Sequence, residues 1–150
     1  MDAVTYPNEN VTEFLMENMI PLRVPFNAAP LSTDFNVKWT PTLITLDTIG
    51  KEHHRIVGFV GPDEFMPSML LGIGKVYFDT ERFDRAISNL ERILNEYPGS
   101  SVIPETIYTM GICRYKGTHD PKPLKEAYET LSARFPENEW TKRAYPYRLL

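Results

Sequence analysis

The chain contains 150 residues, of which 42% are hydrophobic and 24% are charged, a composition typical of a globular protein. Its net charge of −4 and its pI near 5.4 argue against nucleic acid or an anionic membrane as the main partner. The single cysteine, Cys113, excludes an internal disulfide and a cysteine-based metal site. We therefore expect a cytoplasmic protein with neither a metal nor another cofactor.

The first forty residues are predicted to form a helix, a short strand and a helical turn. Apolar residues recur at helical spacing over 8–19, where Asn8 or Asn10 can cap the first turn. Residues 21–26 predict a strand whose two prolines lack amide donors, which suits the edge of a sheet or the ends of a strand and not an interior ladder. A short helical turn is expected over 30–35, since proline is tolerated in a first turn.

A β-hairpin is predicted next. Residues 42–47 are rich in β-branched side chains, 47–50 predict a turn, and 52–59 form the returning strand. The order up to the following helix is therefore α-β-α-β-β-α. His53 and His54 alternate across the second strand, so they cannot easily chelate one ion together, and both are expected at the surface.

From residue 63 onward, helical periodicity is interrupted only by short breaks. Consecutive helices joined by short links predict antiparallel helical hairpins. The expected helices cover 63–79, 82–96, 102–116, 122–134 and 138–147.

This helical half contains an internal repeat. The first copy comprises Leu70, Ile73, Gly74, Tyr77, Ala86, Leu90, Ile93 and Pro98. The second, looser copy comprises Tyr108, Gly111, Tyr115, Leu124, Tyr128, Leu131, Phe135 and Pro136. These spacings resemble the tetratricopeptide repeat, whose period is about 34 residues. The second copy is about four residues longer than that period, and we expect the extra residues to be divided between 99–104 and 119–123.

The resemblance implies a concave surface that binds peptides or partner helices. Aromatic and basic residues of the repeat helices are the candidates for lining it. We expect a partner groove that is lined by Tyr77, Arg82, Tyr108, Arg114 and Tyr115.

Residues 35–59 resemble the second half of a thioredoxin-like domain, with Thr40-Pro41 in the position of that family's cis-proline loop. The resemblance implies that Trp39, Thr40 and Pro41 meet an extended peptide. Two interpretations of Trp39 stay open, contact with such a peptide or packing under the first helix. The family's Cys-x-x-Cys and the strand before it are absent, and Cys113 is expected to be a buried structural thiol.

The predicted fold is thus α/β plus all-α: a partial thioredoxin-like unit over 1–66, followed by tetratricopeptide-like helical hairpins over 67–150. The absent strand would lie between 21–26 and 42–47, at the centre of the family's sheet. Without it, those two strands must pair directly, leave buried amides unpaired or receive a strand from another molecule, and we expect a homo-oligomer, most simply a dimer.

The leading functional hypothesis is a non-catalytic protein-interaction module that binds a protein or peptide, with no nucleic acid and no membrane involved. The alternative is an N-terminally truncated fragment of a thiol–disulfide oxidoreductase whose Cys-x-x-Cys lies upstream of Met1. As the sequence stands, the redox-active pair is absent, and catalysis is not expected.

Overall fold

The structure is a computed structural model that describes all residues 1–150. The chain divides into two compact units, Met1–Met66 and Pro67–Leu150, called here the N-terminal and C-terminal units. The elements are α1 (Glu9–Asn18), α2 (Leu31–Asp34), β1 (Thr42–Leu46), β2 (Glu52–Val57), α3 (Pro62–Asp79), α4 (Phe83–Glu96), α5 (Ile103–Thr118), α6 (Lys122–Arg134), α7 (Glu139–Ala144) and a 3-10 helix (Tyr145–Leu149). The mixed fold class, a small antiparallel sheet with helices followed by a helical half, is confirmed at this level.

The N-terminal unit is organised around α1. Asn8 caps this helix by accepting a hydrogen bond from the Val11 amide at 3.3 Å, and the helix buries Val11 and Phe14. The buried Thr5 hydroxyl donates to the Val60 carbonyl at 2.6 Å, which ties the first turn of the chain to the segment before α3. This hydrogen bond and the apolar contacts fix the start of the chain.

The predicted strand over 21–26 is wrong, because the structure has neither helix nor strand between Met19 and Pro25. The sheet contains β1 and β2 alone. A strand exists only where its backbone groups pair with a neighbour, and here no backbone–backbone hydrogen bond joins Ile20–Val24 to the rest of the chain. The local sequence favours an extended chain, but no neighbouring strand is present to pair with it.

In the C-terminal unit, α4 and α6 each bury one stripe of residues, whereas α5 is buried on more than one side. α4 buries Ala86, Leu90 and Ile93, residues that share one face of the helix. α5 packs against both α4 and α6. On α6 the buried residues are Leu124, Ala127 and Leu131.

Two glycines allow helices to cross closely in this unit. A Cβ atom added to Gly74 would lie 3.1 Å from Leu90 Cδ2, and one added to Gly111 would lie 2.7 Å from Ala127 Cβ. Each glycine is 16 residues before its partner. Both crossings therefore use the same spacing, and no extra residue is inserted between α5 and α6.

This geometry corrects the second copy of the repeat in two respects. The counterpart of Leu90 is Ala127, whereas Tyr128 is half-buried and meets the ring of Tyr145 at a centroid distance of 6.2 Å. Three of the about four extra residues lie between α4 and α5, since Gly74 and Gly111 are 37 residues apart, and none lies at 119–123. The error arose because the spacings 124/127/131 and 124/128/131 both fit one helical face.

Gly111→Ala is expected to lower the free energy of unfolding by about 1–3 kcal/mol, because the added methyl overlaps Ala127. The matched control is Gly117→Ala on the same helix, where the new Cβ is 3.8 Å from its nearest neighbour, an ordinary contact. That variant should be unchanged or more stable by up to about 1 kcal/mol, since alanine favours helix. Urea unfolding followed by circular dichroism measures both, and equal effects would contradict the close crossing.

Candidate functional site

The hydrogen-bond pattern of the hairpin shows which groups of β1 face away from β2. The Gly58 amide donates to the Pro41 carbonyl at 2.9 Å, so residues 41 and 58 form a hydrogen-bonded pair. Such pairs alternate along an antiparallel ladder, and the register places Thr42 opposite Val57 and Ile44 opposite Arg55. Thr42 and Ile44 therefore direct their N–H and C=O groups to the outer edge of β1.

The outer edge of β1 is open and unprotected. The sheet has two strands, and no backbone–backbone hydrogen bond reaches Thr42 or Ile44 from elsewhere in the chain. The strand sequence, Thr-Leu-Ile-Thr-Leu, contains neither a charge nor a proline, the features with which proteins usually block an edge. This edge can accept another extended segment.

The other strand is protected in the usual way. β2 carries Glu52 and Arg55, whose side chains form an ion pair at 2.6 Å, and Arg55 also donates to the Phe35 carbonyl at 2.6 Å. The Arg55 guanidinium lowers the pKa of the Glu52 carboxyl through their hydrogen bond. The two edges of the sheet thus differ, and β1 is the edge suited to strand addition.

The turn that joins the strands is held by one carboxylate. Asp47 Oδ1 accepts hydrogen bonds from the amides of Ile49, at 3.0 Å, and Lys51, at 2.9 Å. Asp47 Oδ2 lies 3.0 Å from His53 Nε2. Gly50, with φ at +82°, takes the left-handed conformation that the turn requires.

The predicted surface position of His53 is wrong, since its side chain is only 1% exposed. The carboxylate of Asp47 supplies a polar partner within hydrogen-bond distance, which makes burial of the imidazole possible. Sequence alone did not pair these residues, although an aspartate opening a turn six positions before a strand histidine is the signal that could have done so.

A shallow cavity of about 200 Å³ lies immediately before β1 and is lined by Phe26, Val37, Lys38, Trp39 and Thr40. The Trp39 side chain is 70% exposed, so it does not pack under the first helix. The Thr42 hydroxyl donates to the Trp39 carbonyl at 2.6 Å, which fixes the cavity to the start of the strand. The Thr40–Pro41 peptide bond is cis.

The structure thus brings Trp39 and Thr40 together around this cavity, with Pro41 next along the chain at the start of the hairpin. Sequence analysis missed Phe26, Val37 and Lys38 as lining residues. The alternating apolar residues that end at Phe26 were the available signal.

The five candidates for a partner groove in the C-terminal unit do not surround one cavity. Arg114 lines a second cavity of about 190 Å³ between α4, α5 and α6 and lies 3.2 Å from Glu91. Arg82 lies over the ring of Tyr77, at 5.1 Å from its centroid. Tyr115 is half-buried and does not line this cavity.

Tyr108 belongs to a separate aromatic cluster. Its ring lies 5.2 Å from that of Trp140 and 6.1 Å from that of Tyr147, measured between centroids. Burial and the nearby Tyr108 hydroxyl raise the pKa of Tyr147 to about 12. The cluster joins α5 to the last turn of the chain, which accounts for Tyr108 by packing.

Two further features bear on chemistry. No group of three or more His, Cys, Asp or Glu side chains is arranged to hold a metal ion. No helix combines the length and the apolar character needed to cross a membrane.

The hairpin should lose stability in acid through Asp47. The hydrogen bond from His53 holds the pKa of the Asp47 carboxyl below its ordinary value of 3.8. A lowered pKa means that ionised Asp47 stabilises the fold fully above pH 3.8, and that this contribution is lost as the pH falls through the lower, folded-state pKa.

Asp47→Asn removes the charge but keeps an acceptor for the two turn amides. The difference in melting temperature between wild type and Asp47→Asn should therefore be largest near neutral pH and shrink below pH 3.8. Melting curves over this range measure it, and a difference that does not change with pH would contradict the role assigned to the charge.

Cys113 should be inert in the folded protein. Its side chain is fully buried, and burial raises the pKa of the thiol to about 12. Because the thiolate is the reactive form, a water-soluble disulfide reagent should label Cys113 only in denaturant. Rapid labelling of the native protein, timed by mass spectrometry, would contradict this assignment.

Comparisons of the chain with protein-family models, with curated proteins and with solved structures found no match. The resemblances to thioredoxin-like domains and to tetratricopeptide repeats therefore rest on the residues that carry them. The open edge of β1 and the cavity at Trp39 are the features on which a function can be argued.

Proposed function

We propose that this protein is a non-catalytic protein-interaction module, made of a thioredoxin-like N-terminal unit and tetratricopeptide-like helical hairpins, which binds an extended polypeptide segment along β1. The observation that carries the proposal is an unprotected strand edge directly beside an exposed aromatic cavity. Strand addition to an open edge is a general mode of peptide recognition.

The open edge would supply the affinity. An incoming strand would pair its backbone with the N–H and C=O groups of Thr42 and Ile44, each hydrogen bond contributing about 0.5–1.5 kcal/mol net. These bonds do not depend on the partner's side chains. Strand addition at this edge alone would therefore bind many extended segments.

The cavity would supply the preference for particular side chains in the bound segment. Its exposed indole, Trp39, offers apolar surface to a side chain at the end of the incoming strand. Residues 1–66 contain 4 basic and 9 acidic side chains, a net charge of −5. A segment with large apolar residues and basic flanks would thus bind best.

In the C-terminal unit, the repeated crossing supports the tetratricopeptide-like part of the proposal. Gly74 and Gly111 meet Leu90 and Ala127 at the same 16-residue spacing, as expected for two copies of one hairpin. The cavity at Arg114 would then offer a second contact surface for a protein partner.

The test is binding of a blocked peptide of alternating valine and threonine with lysine flanks. Thr42→Pro removes the outward-facing N–H of β1, whereas the matched control Thr42→Ala keeps it. Both variants lose the hydroxyl bond to Trp39, so they differ only in the proline ring, which removes the N–H and fixes φ at residue 42. We expect Thr42→Pro to bind the peptide at least about tenfold more weakly than Thr42→Ala.

Binding is followed by the fluorescence emission of Trp39. The protein is kept at submicromolar concentration, with the peptide in excess. The Trp39→Phe variant provides the blank for Trp140 emission. Equal affinities of the proline and alanine variants would exclude strand addition at β1.

A further inference from the structure

We infer that two copies of this chain exchange their Ile20–Phe26 segments, each segment pairing with β1 of the other copy. The inference rests on the proposed function, since it names the extended segment that occupies the edge. It goes further in assigning the partner, a second copy of the same chain.

The sequence of this segment allows pairing along one edge only. In an extended chain, alternate residues direct their backbone groups to the same side. Ile20, Leu22 and Val24 all retain their N–H groups, whereas the opposite side carries Pro21 and Pro25, which have none. Such a segment is suited to be the outermost strand of a sheet.

The prolines also keep the segment extended. A residue before proline is held away from the helical region, and this restricts Ile20 and Val24. Proline fixes its own φ near −65°. Because four of the first six residues are restricted in the free chain, ordering the segment against a strand loses less conformational entropy.

The apolar side chains of the segment are left in water within one chain. Ile20 is 96% exposed and Leu22 is 79% exposed, and Phe26 also lies at the surface. No backbone–backbone hydrogen bond joins Ile20–Val24 to another part of the chain. The apolar side chains and the backbone of the segment therefore lack the neighbour that a strand requires, whereas the Arg23 guanidinium donates to the Asp2 carboxylate at 2.7 Å.

The complement of this segment is present in the same molecule. β1 has outward-facing groups at Thr42 and Ile44, again at every second residue, and neither charge nor proline within the strand. The segment's one charge is Arg23, which pairs with Asp2 at 2.7 Å within its own chain, in a unit of net charge −5. Each chain thus carries one pairing segment and one open edge.

A second copy satisfies both features at once. Reciprocal exchange places each segment on the other chain's edge, so the same contact occurs twice about a two-fold axis and the assembly closes as a dimer. An unrelated peptide would cover β1 but would leave the Ile20–Phe26 segment in water. This difference favours a second copy of the chain over an unrelated peptide as the partner of β1.

The test is the mass of the full-length chain in solution. Light scattering at micromolar concentration should give twice 17.3 kDa for wild type and 17.3 kDa for Leu22→Asp. The control is Met16→Asp, which changes another exposed apolar residue, 71% exposed on α1, and should stay dimeric. A monomeric wild type, a dimeric Leu22→Asp or a monomeric Met16→Asp would overturn the inference.

A second measurement separates this inference from the proposed function. A fluorescent peptide with the sequence of residues 18–28 should bind the Leu22→Asp monomer at least about tenfold more tightly than wild type, whose edge is already occupied. Adding Thr42→Pro to Leu22→Asp should abolish that binding, whereas adding Thr42→Ala should not.

The two proposals fail in different ways. If wild type is a monomer and still binds the valine–threonine peptide through β1, the exchange is wrong and the proposed function stands. If the Leu22→Asp monomer binds neither that peptide nor the peptide of residues 18–28, the proposed function is wrong.

Discussion

The requirement that backbone N–H and C=O groups be paired governs the N-terminal unit. A two-stranded hairpin pairs one edge of each strand and leaves the other edges to solvent or to a partner. β2 carries the ion pair of Glu52 and Arg55, whereas β1 carries neither a charge nor a proline. Every functional argument for this unit depends on that asymmetry, since an equally protected β1 would be an ordinary surface strand.

The C-terminal unit depends on a steric constraint of a different kind. Gly74 and Gly111 lie where the helices cross closely: a Cβ atom at Gly111 would overlap Ala127, and one at Gly74 would crowd the Leu90 side chain. The second crossing is the closer one, because Ala127 stands where the first has Leu90. A smaller side chain on both helices brings the backbones together and strengthens their dispersion contacts.

Local signals predicted most of the secondary structure, and long-range pairing accounts for the errors. The stripe of Ala86, Leu90 and Ile93 and the β-branched run of β1 are periodic, so their type could be predicted from sequence. The strand predicted over 21–26 is absent, because a strand requires a hydrogen-bonded neighbour, which the local sequence pattern does not reveal. The burial of His53 likewise depends on Asp47, a contact made only after the hairpin closes.

One residue connects the cavity to the segment that ends the sheet. Phe26 lines the cavity beside Trp39, and it is also the last residue of the Ile20–Phe26 segment. If that segment moves to the edge of another chain, Phe26 would leave the lining, and the indole of Trp39, already 70% exposed, would have more room for a new side chain. Exchange would therefore open the cavity at the same time as it fills the edge, so the two proposed contacts would be coupled through Phe26.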